Sequence, residues 1–402
     1  MEMPPSIPEL PARIDAEVPS LIAIRRDLHA HPQLAFHETY ASGVVCRELK
    51  RLGIPFEAGL GETGVVGWIL PDDPLAAKNK ALGLRADMDA LPIEEATDVD
   101  YASTNAGAMH ACGHDGHTTI LLGTARVLAS MRNRLRRPVK LVFQPAEEVG
   151  GGAVRMIEDG ALDARTGGID VSQMFTMHGW PNTRLGTIAT RPGPMFASMD
   201  QLQIVLTGRP GHAAAPHLTS DPIFAAAQLI SSLQSVVSRN VDPTEPAVLT
   251  IASIHAGSAF NIIPERAELL GTIRAVTSET RDLIHERMRR ITEQTAVALG
   301  CQADIDVDSG YPVTVNDADF TFQVVAAAGA ALGAENAARM EHPALVAEDF
   351  AFYGQQVPSC LVLLGLRPPG RVDYPGLHTS RFDFNDDAIS LGIRLMCHVA
   401  LG

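Results

Sequence analysis

The sequence predicts an α/β fold: a main domain built on a mixed, mostly parallel sheet covered by helices, with an inserted α+β domain. Three observations predict it. Short apolar runs alternate with amphipathic helical stretches through the first half of the chain. At 402 residues the chain exceeds what one hydrophobic core usually fills, roughly 250–300 residues. Near 197–200 the pattern changes to a self-contained strand and helix set, and after about Asp308 the βα alternation returns. The expected division is 1–196 with 309–402 for the main domain and 197–308 for the insertion.

The elements follow in order. Ile14–His29 carries Ile14, Val18, Leu21, Ile22 and Leu28 at helical intervals, and Tyr40–Leu52 reads as a second helix. Strands are expected at Gly64–Leu70, Ala81–Leu84 and Val139–Phe143, around a helix at Thr118–Met131. A helix over Ala153–Asp159 stops at Gly160, and Val171–Met177 is a further apolar strand. In the insertion, Gln201–Leu206, Val248–His255 and Glu268–Ala275 alternate like strands, and Asp221–Arg239 and Thr280–Leu299 like helices. The return to the first domain brings a helix at Phe320–Leu332, a strand at Cys360–Leu366 and a last helix at Asp386–Leu401.

Composition narrows the chemistry. The chain is 46% hydrophobic and 20% charged, ordinary for a packed globular protein, and its net charge of −15 would repel nucleic-acid phosphates and anionic lipid. Small-molecule chemistry is favoured, with no nucleic-acid or membrane partner. The opening MEMPPSIPEL has no apolar leader, and the longest apolar run, around Val324–Ala334, is too short to span a bilayer, so a cytoplasmic location is expected. Five cysteines without a CxxC pair suggest neither a disulfide framework nor a zinc ribbon.

Polar clusters follow several strands, and in open sheets ligands collect beyond the carboxyl ends of strands. MHACGHDGH supplies Cys112 and His114, a thiol and an imidazole suited to a transition metal; the helix that follows, through its N-terminal partial charge, is expected to favour the Cys112 thiolate. A buried cysteine among solvent-facing histidines fits the same residues. QPAEEVGGGA places Glu147 and Glu148 between a strand and a glycine turn, where one can bind a metal while the other accepts a proton; adjacent glutamates are also common on solvated surfaces. His178 in FTMHGWP and His378 in GLHTSRF read singly as structural or exposed, and gain meaning from the other ligand types. With one glutamate of the pair set aside as proton acceptor, the five remaining candidates are too many for one open catalytic ion and suit two ions sharing a bridging ligand. Asp87 and Asp89 in GLRADMDALP could orient an imidazole ligand, or cap a turn before Pro92.

The runs GLRADMDALPIEE, MHACGHDGHT, FQPAEEVGGGA, MHGWP, GRPGHAAAP, FNIIPE, GTIR, AEDFAFY and GLHTSRF, with RDLHAHPQLAFHE ahead of them, resemble the aminoacylase and hippurate hydrolase family of dinuclear metallopeptidases. The branch resembled includes hydrolases of amino-acid-conjugated auxin. The resemblance spans nearly the whole chain. It implies that Cys112 bridges two divalent ions, manganese or zinc, with His114, Glu148, His178 and His378 as the other ligands and Glu147 as general base. Where the wider family has an H-x-D motif with a histidine ligand, this chain reads Arg85-Ala86-Asp87, and His114 takes that ligand's place.

The same resemblance makes 197–308 a lid and dimerisation domain, so a homodimer is expected. His212 would reach a partner subunit's active site and polarise the scissile carbonyl, and Asn261 and Arg274 would hold the substrate carboxylate. The implied activity is hydrolysis of N-acyl-amino acids. Carboxypeptidase or dipeptidase action on short peptides is an alternative, as is a metal-free amidohydrolase with Cys112 as nucleophile. A non-catalytic binding protein is the remaining option, disfavoured because binding alone has no need of Glu147.

Overall fold

In the computed structural model, which describes residues 7–402, the chain divides into two units. The first runs to Gly193 and resumes over Val315–Glu341 and Glu348–Gly402. The second comprises Pro194–Thr314 and His342–Ala347. Most of MEMPPSIPEL, the stretch expected to carry no leader, lies outside the described residues.

An eight-stranded sheet organises the first unit. Its early strands are β1 (Phe56–Leu60), β2 (Gly64–Ile69), β3 (Ala81–Asp87), β4 (Val139–Gln144) and β5 (Val171–Arg184). Across the sheet the order is β1, β2, β4, β3, β5, then Ser359–Arg367, Ile188–Thr190 and Ala337–Arg339. The central pairs β4–β3, β3–β5 and β5–Ser359–Arg367 are parallel, whereas β1–β2, β2–β4 and the pairing of Ser359–Arg367 with Ile188–Thr190 are antiparallel. Central strands of such a sheet are covered on both faces, and accordingly every residue of β3 and β4 is buried.

Helices α1 (Leu10–Ala30), α2 (Thr39–Arg51) and α3 (His114–Ala129), with Ala318–Leu332 and Asp387–Leu401, supply that cover. In α1 the buried face is Leu10, Ile14, Leu21 and Leu28, each contributing roughly 1.5–3 kcal/mol by burial. It also buries Arg25 and His29, polar residues that an apolar count passes over.

The strands extend beyond the apolar runs that announced them. Register continues past Leu84 to pair Asp87 with Gln144, so β3 ends on an acid. Likewise β5 continues past Met177, because Leu363 pairs with His178 and Leu364 with Gly179. Helix α3 starts at His114 rather than Thr118. Its first turn is polar, so apolar periodicity begins only at Ile120 and conceals it.

The second unit has its own core and a four-stranded antiparallel sheet, ordered Ala247–Ala256, Arg266–Ala275, Asp200–Thr207 and Gln302–Ser309. The helices Pro222–Asn240 and Ser278–Ala298 pack on it. Asp221 caps the first, accepting from the N–H groups of Ile223 and Phe224. A small ribbon pairs Gly211–His212 with Ile262–Ile263. Among the described residues no helix is long and apolar enough to cross a membrane.

Candidate metal centre

The first unit brings Cys112, His114, Glu147, Glu148, His178 and His378 together. Two groups of possible ligand atoms meet at one thiol: Cys112, His114 and His178 form one, and Cys112, Glu148 and His378 the other. Cys112 Sγ lies 3.4 Å from His178 Nε2 and 3.3 Å from His378 Nε2. Glu148 Oε1 is 3.2 Å from His378 Nε2 and 3.9 Å from His114 Nε2.

The backbone explains the convergence. Gly113, at φ 86°, reverses the chain between Cys112 and the first residue of α3 in a conformation that suits glycine. Two non-glycine residues at the site also take positive φ: Ala146 at 53°, directly before Glu147, and His378 at 59°. Both are tied down. The Ala146 N–H donates to buried Glu38 at 2.9 Å, and the His378 N–H donates to the Ala111 carbonyl at 2.8 Å. Glu38 closes the RDLHAHPQLAFHE motif, so the start of the chain helps shape the Glu147 loop.

Hydrogen bonds select the ring nitrogen that each imidazole presents. His114 Nδ1 lies 3.1 Å from Asp89 Oδ1, while the other Asp89 oxygen accepts from the Glu148 N–H at 2.9 Å. The Nε2 of His114 is thereby left buried with no hydrogen-bond partner. His178 Nδ1–H donates to the Gly179 carbonyl at 2.9 Å, which leaves its Nε2 lone pair facing Cys112. His117 differs: its Nε2 accepts from the Gly179 N–H at 2.8 Å and its Nδ1 is 2.7 Å from Asp87, so both nitrogens are engaged. Asp89 thus orients His114, and Asp87 orients His117.

Electrostatics suit a cation. Burial pushes Glu147 well above the usual carboxylate range, reinforced by Glu348, Glu148 and Asp349. Cys112 is likewise pushed up, by burial and then by Glu148 and Glu147, so the helix terminus alone does not hold its thiolate. Burial lowers His114, but Asp87 and Asp89 outweigh it and raise it to about 10: positive charge is stabilised there. Burial, with His117, holds His178 neutral, its pKa lowered to about 3. An unpartnered imidazole nitrogen, a thiol and a carboxylate in a cluster of excess negative charge fit divalent transition metals.

Behind the cluster, fully buried Arg85 contacts Gln144, Asp87, Glu348 and Asp349, and the Asp349 N–H donates to Glu147 Oε1 at 3.3 Å. Residue-by-residue reading misses this layer, apart from Asp87. Its members lie within sequence motifs, Arg85 in GLRADMDALPIEE, Gln144 in FQPAEEVGGGA, and Glu348 and Asp349 in AEDFAFY, but nothing in those motifs says that they meet.

The remaining candidates belong to the second unit. His212 is exposed on the ribbon in register with Ile262; its Nδ1 accepts from the Ala214 N–H at 3.0 Å, and the Asn261 carbonyl accepts from the Ala213 N–H at 3.1 Å. Arg274 lies on the four-stranded sheet, half-buried, donating to Thr272 Oγ1 and, at 3.1 Å, to the Ile273 carbonyl. It makes no ion pair among the described residues.

A buried cluster of thiol, imidazole and carboxylate groups with a further buried carboxylate beside it suits a metal-dependent hydrolase, in which one carboxylate moves a proton of a metal-activated water. The chain belongs to peptidase family M20/M25/M40, whose profile matches residues 83–402. It is 38% identical over 384 residues to the N-acetylcysteine deacetylase of Bacillus subtilis, covering 95% of this chain and 96% of that one. It is also 38% identical over 377 residues to thermostable carboxypeptidase 2 of Saccharolobus solfataricus, with 92% of each covered. The crystal structure of a dinuclear metal binding peptidase from the M20 family of Bacillus subtilis superposes with a TM-score of 0.82 at 33% identity, covering 96% of this chain and 98% of that chain.

Proposed function

We propose that the protein is a dinuclear metal-dependent amidohydrolase of N-acyl-amino acids, hippurate-like or N-acetylated, releasing a carboxylic acid and a free amino acid. The meeting of two ligand groups at the Cys112 thiol carries this assignment. Cys112, common to both groups, would be shared between two divalent ions, manganese or zinc, that His114, Glu148, His178 and His378 would also hold. Bound there, such ions polarise a carbonyl and acidify a water. Glu147 takes the proton of the attacking water on its carboxylate and returns it to the nitrogen of the departing amine. Its raised proton affinity suits this exchange, and bound cations would act in the opposite sense to favour its ionised form.

Arg274 and Asn261 hold the α-carboxylate of the substrate, a role supported by the absence of an ion pair on Arg274 among the described residues. His212 hydrogen-bonds the carbonyl oxygen as charge develops on it, reaching across from a partner subunit. The insertion, 197–308, is then the lid and the dimer contact. Its edge strand Ala247–Ala256, with Ile254 exposed, offers a pairing surface; sedimentation should give twice the chain mass, and a monomer would count against the contact. All five cysteines are unpaired, as a reducing cytoplasm would keep them.

A second activity, carboxypeptidase or dipeptidase cleavage, uses the same base and carboxylate clamp and is favoured by the identity to the Saccharolobus carboxypeptidase. A panel of N-acetyl-amino acids, N-benzoyl-amino acids and dipeptides, assayed with manganese or zinc, separates the two. Dipeptides cleaved far faster than every N-acyl-amino acid would overturn the first assignment. The metal-free alternative fits poorly, because burial disfavours a Cys112 thiolate without cations.

A further inference from the structure

We propose that Arg85 is the positioning residue of this site, one guanidinium that aligns both the general base and the His178 ligand. Two chains of hydrogen bonds leave it. Towards the base, Arg85 donates to Asp349 Oδ1 at 2.8 Å and to Glu348 Oε1 at 3.0 Å. Asp349 is held again by Gln144 Nε2, at 2.9 and 2.8 Å, and by the Ala153 N–H at 2.9 Å. Gln144 is itself fixed by the Arg85 Nε–H at 2.9 Å. The Asp349 carboxylate is therefore immobilised, and its own N–H donates to Glu147 Oε1.

Towards the ligand, Arg85 donates to Asp87 Oδ2 at 2.6 Å. The other Asp87 oxygen accepts from His117 Nδ1–H, and His117 Nε2 accepts from the Gly179 N–H. The Gly179 carbonyl in turn accepts from His178 Nδ1–H, which aims the free nitrogen of His178.

The chemistry requires arginine. Only a planar guanidinium offers enough donors, in fixed directions, to serve Gln144, Asp87, Glu348 and Asp349 at once. A lysine keeps the charge but has three donors on one atom, so it cannot span both arms. Arg85 is 1% exposed and its guanidinium bonds to neighbouring side chains, so it acts through these neighbours.

The two arms predict separable defects, and the inference rests on Glu147 as the base. Asp349→Asn weakens only the base arm: kcat should fall about tenfold or more, with KM and metal content unchanged, since small misplacements of reacting groups cost up to ~100-fold. Asp87→Asn weakens the ligand arm, and also removes a charge beside His114: apparent zinc affinity, measured on stripped protein against a chromophoric chelator, should fall about 10–100-fold. Arg85→Lys should show both defects while retaining a cooperative melting transition. Glu147→Gln is assayed in parallel. If it keeps wild-type turnover, the assignment of the base fails; if it is inactive while Asp349→Asn and Arg85→Lys turn over normally and Asp87→Asn binds zinc normally, this proposal alone fails. Should Arg85→Lys not fold, the Asp349→Asn and Asp87→Asn pair decides: a kcat-only defect in one and an affinity defect in the other support it, and identical defects in both overturn it.

Discussion

His378 Nε2 stands 3.3 Å from Cys112 Sγ, across 266 positions of sequence. His378 adopts φ 59°, a conformation costing a non-glycine residue roughly 1–3 kcal/mol, and is held there by its N–H bond to Ala111 beside Cys112. Such a backbone is expected where a side chain must point at a fixed target. Replacing Cys112 by alanine removes the atom common to both ligand groups, so metal bound per subunit should drop below one equivalent by elemental analysis. An unchanged stoichiometry would refute the bridge.

Glu147→Gln keeps an oxygen that can accept from the Asp349 N–H and leaves the candidate ligands intact, but removes the proposed proton acceptor. Turnover should fall about 10²–10⁴-fold, the range for losing a general base, with metal content at the wild-type level. Steady-state kinetics and elemental analysis on one preparation test this. Comparable activity would exclude the role.

Arg274 has its guanidinium half-buried and without a carboxylate partner among the described residues, and burial lowers its pKa. Arg274→Gln should raise KM for N-acyl-amino acids about 10–100-fold, as expected from one charged hydrogen-bonded contact. Against the same substrates with the carboxylate capped as an amide, wild type and variant should match. Equal losses on both would show that Arg274 does not meet the carboxylate.

His29 sits in a buried network, 2.7 Å from Asp115 and 3.3 Å from Glu95. Burial alone would lower its pKa, but the bonds to Asp115 and Glu95 prevail and raise it to about 9. A raised folded-state pKa means that stability is fully present below the unfolded value of 6.5 and is lost as pH rises through about 9. The unfolding free energy of wild type, from denaturant titration, should therefore exceed that of His29→Gln most near pH 6, by on the order of 3 kcal/mol, and least above pH ~9.5. A pH-independent gap would be inconsistent with a charged His29.

Much of the candidate site is legible in the sequence because its candidate ligands sit in short motifs. Cys112, His114, Glu147 and Glu148 occur as compact clusters, and even isolated His178 and His378 follow the same pattern of residue types. Arg85, Gln144, Glu348 and Asp349 are not, because a buried polar network declares itself only once partners 205 or 264 positions apart are in contact. Arg25 and His29 escape similarly: on an amphipathic helix they read as the wet face, yet Asp115 draws them into the interior. The helix at His114 and the strand through His178 outrun their apolar signals because polar side chains of the candidate site occupy their ends.

The most direct test of the central claim is an activity titration of chelator-stripped protein with manganese or zinc. Inactive at the start, the protein should regain hydrolysis of an N-acyl-amino acid as metal is added, reaching its plateau at two equivalents per subunit. Full activity in the stripped protein, or a plateau unrelated to metal, would contradict a dinuclear centre built on Cys112.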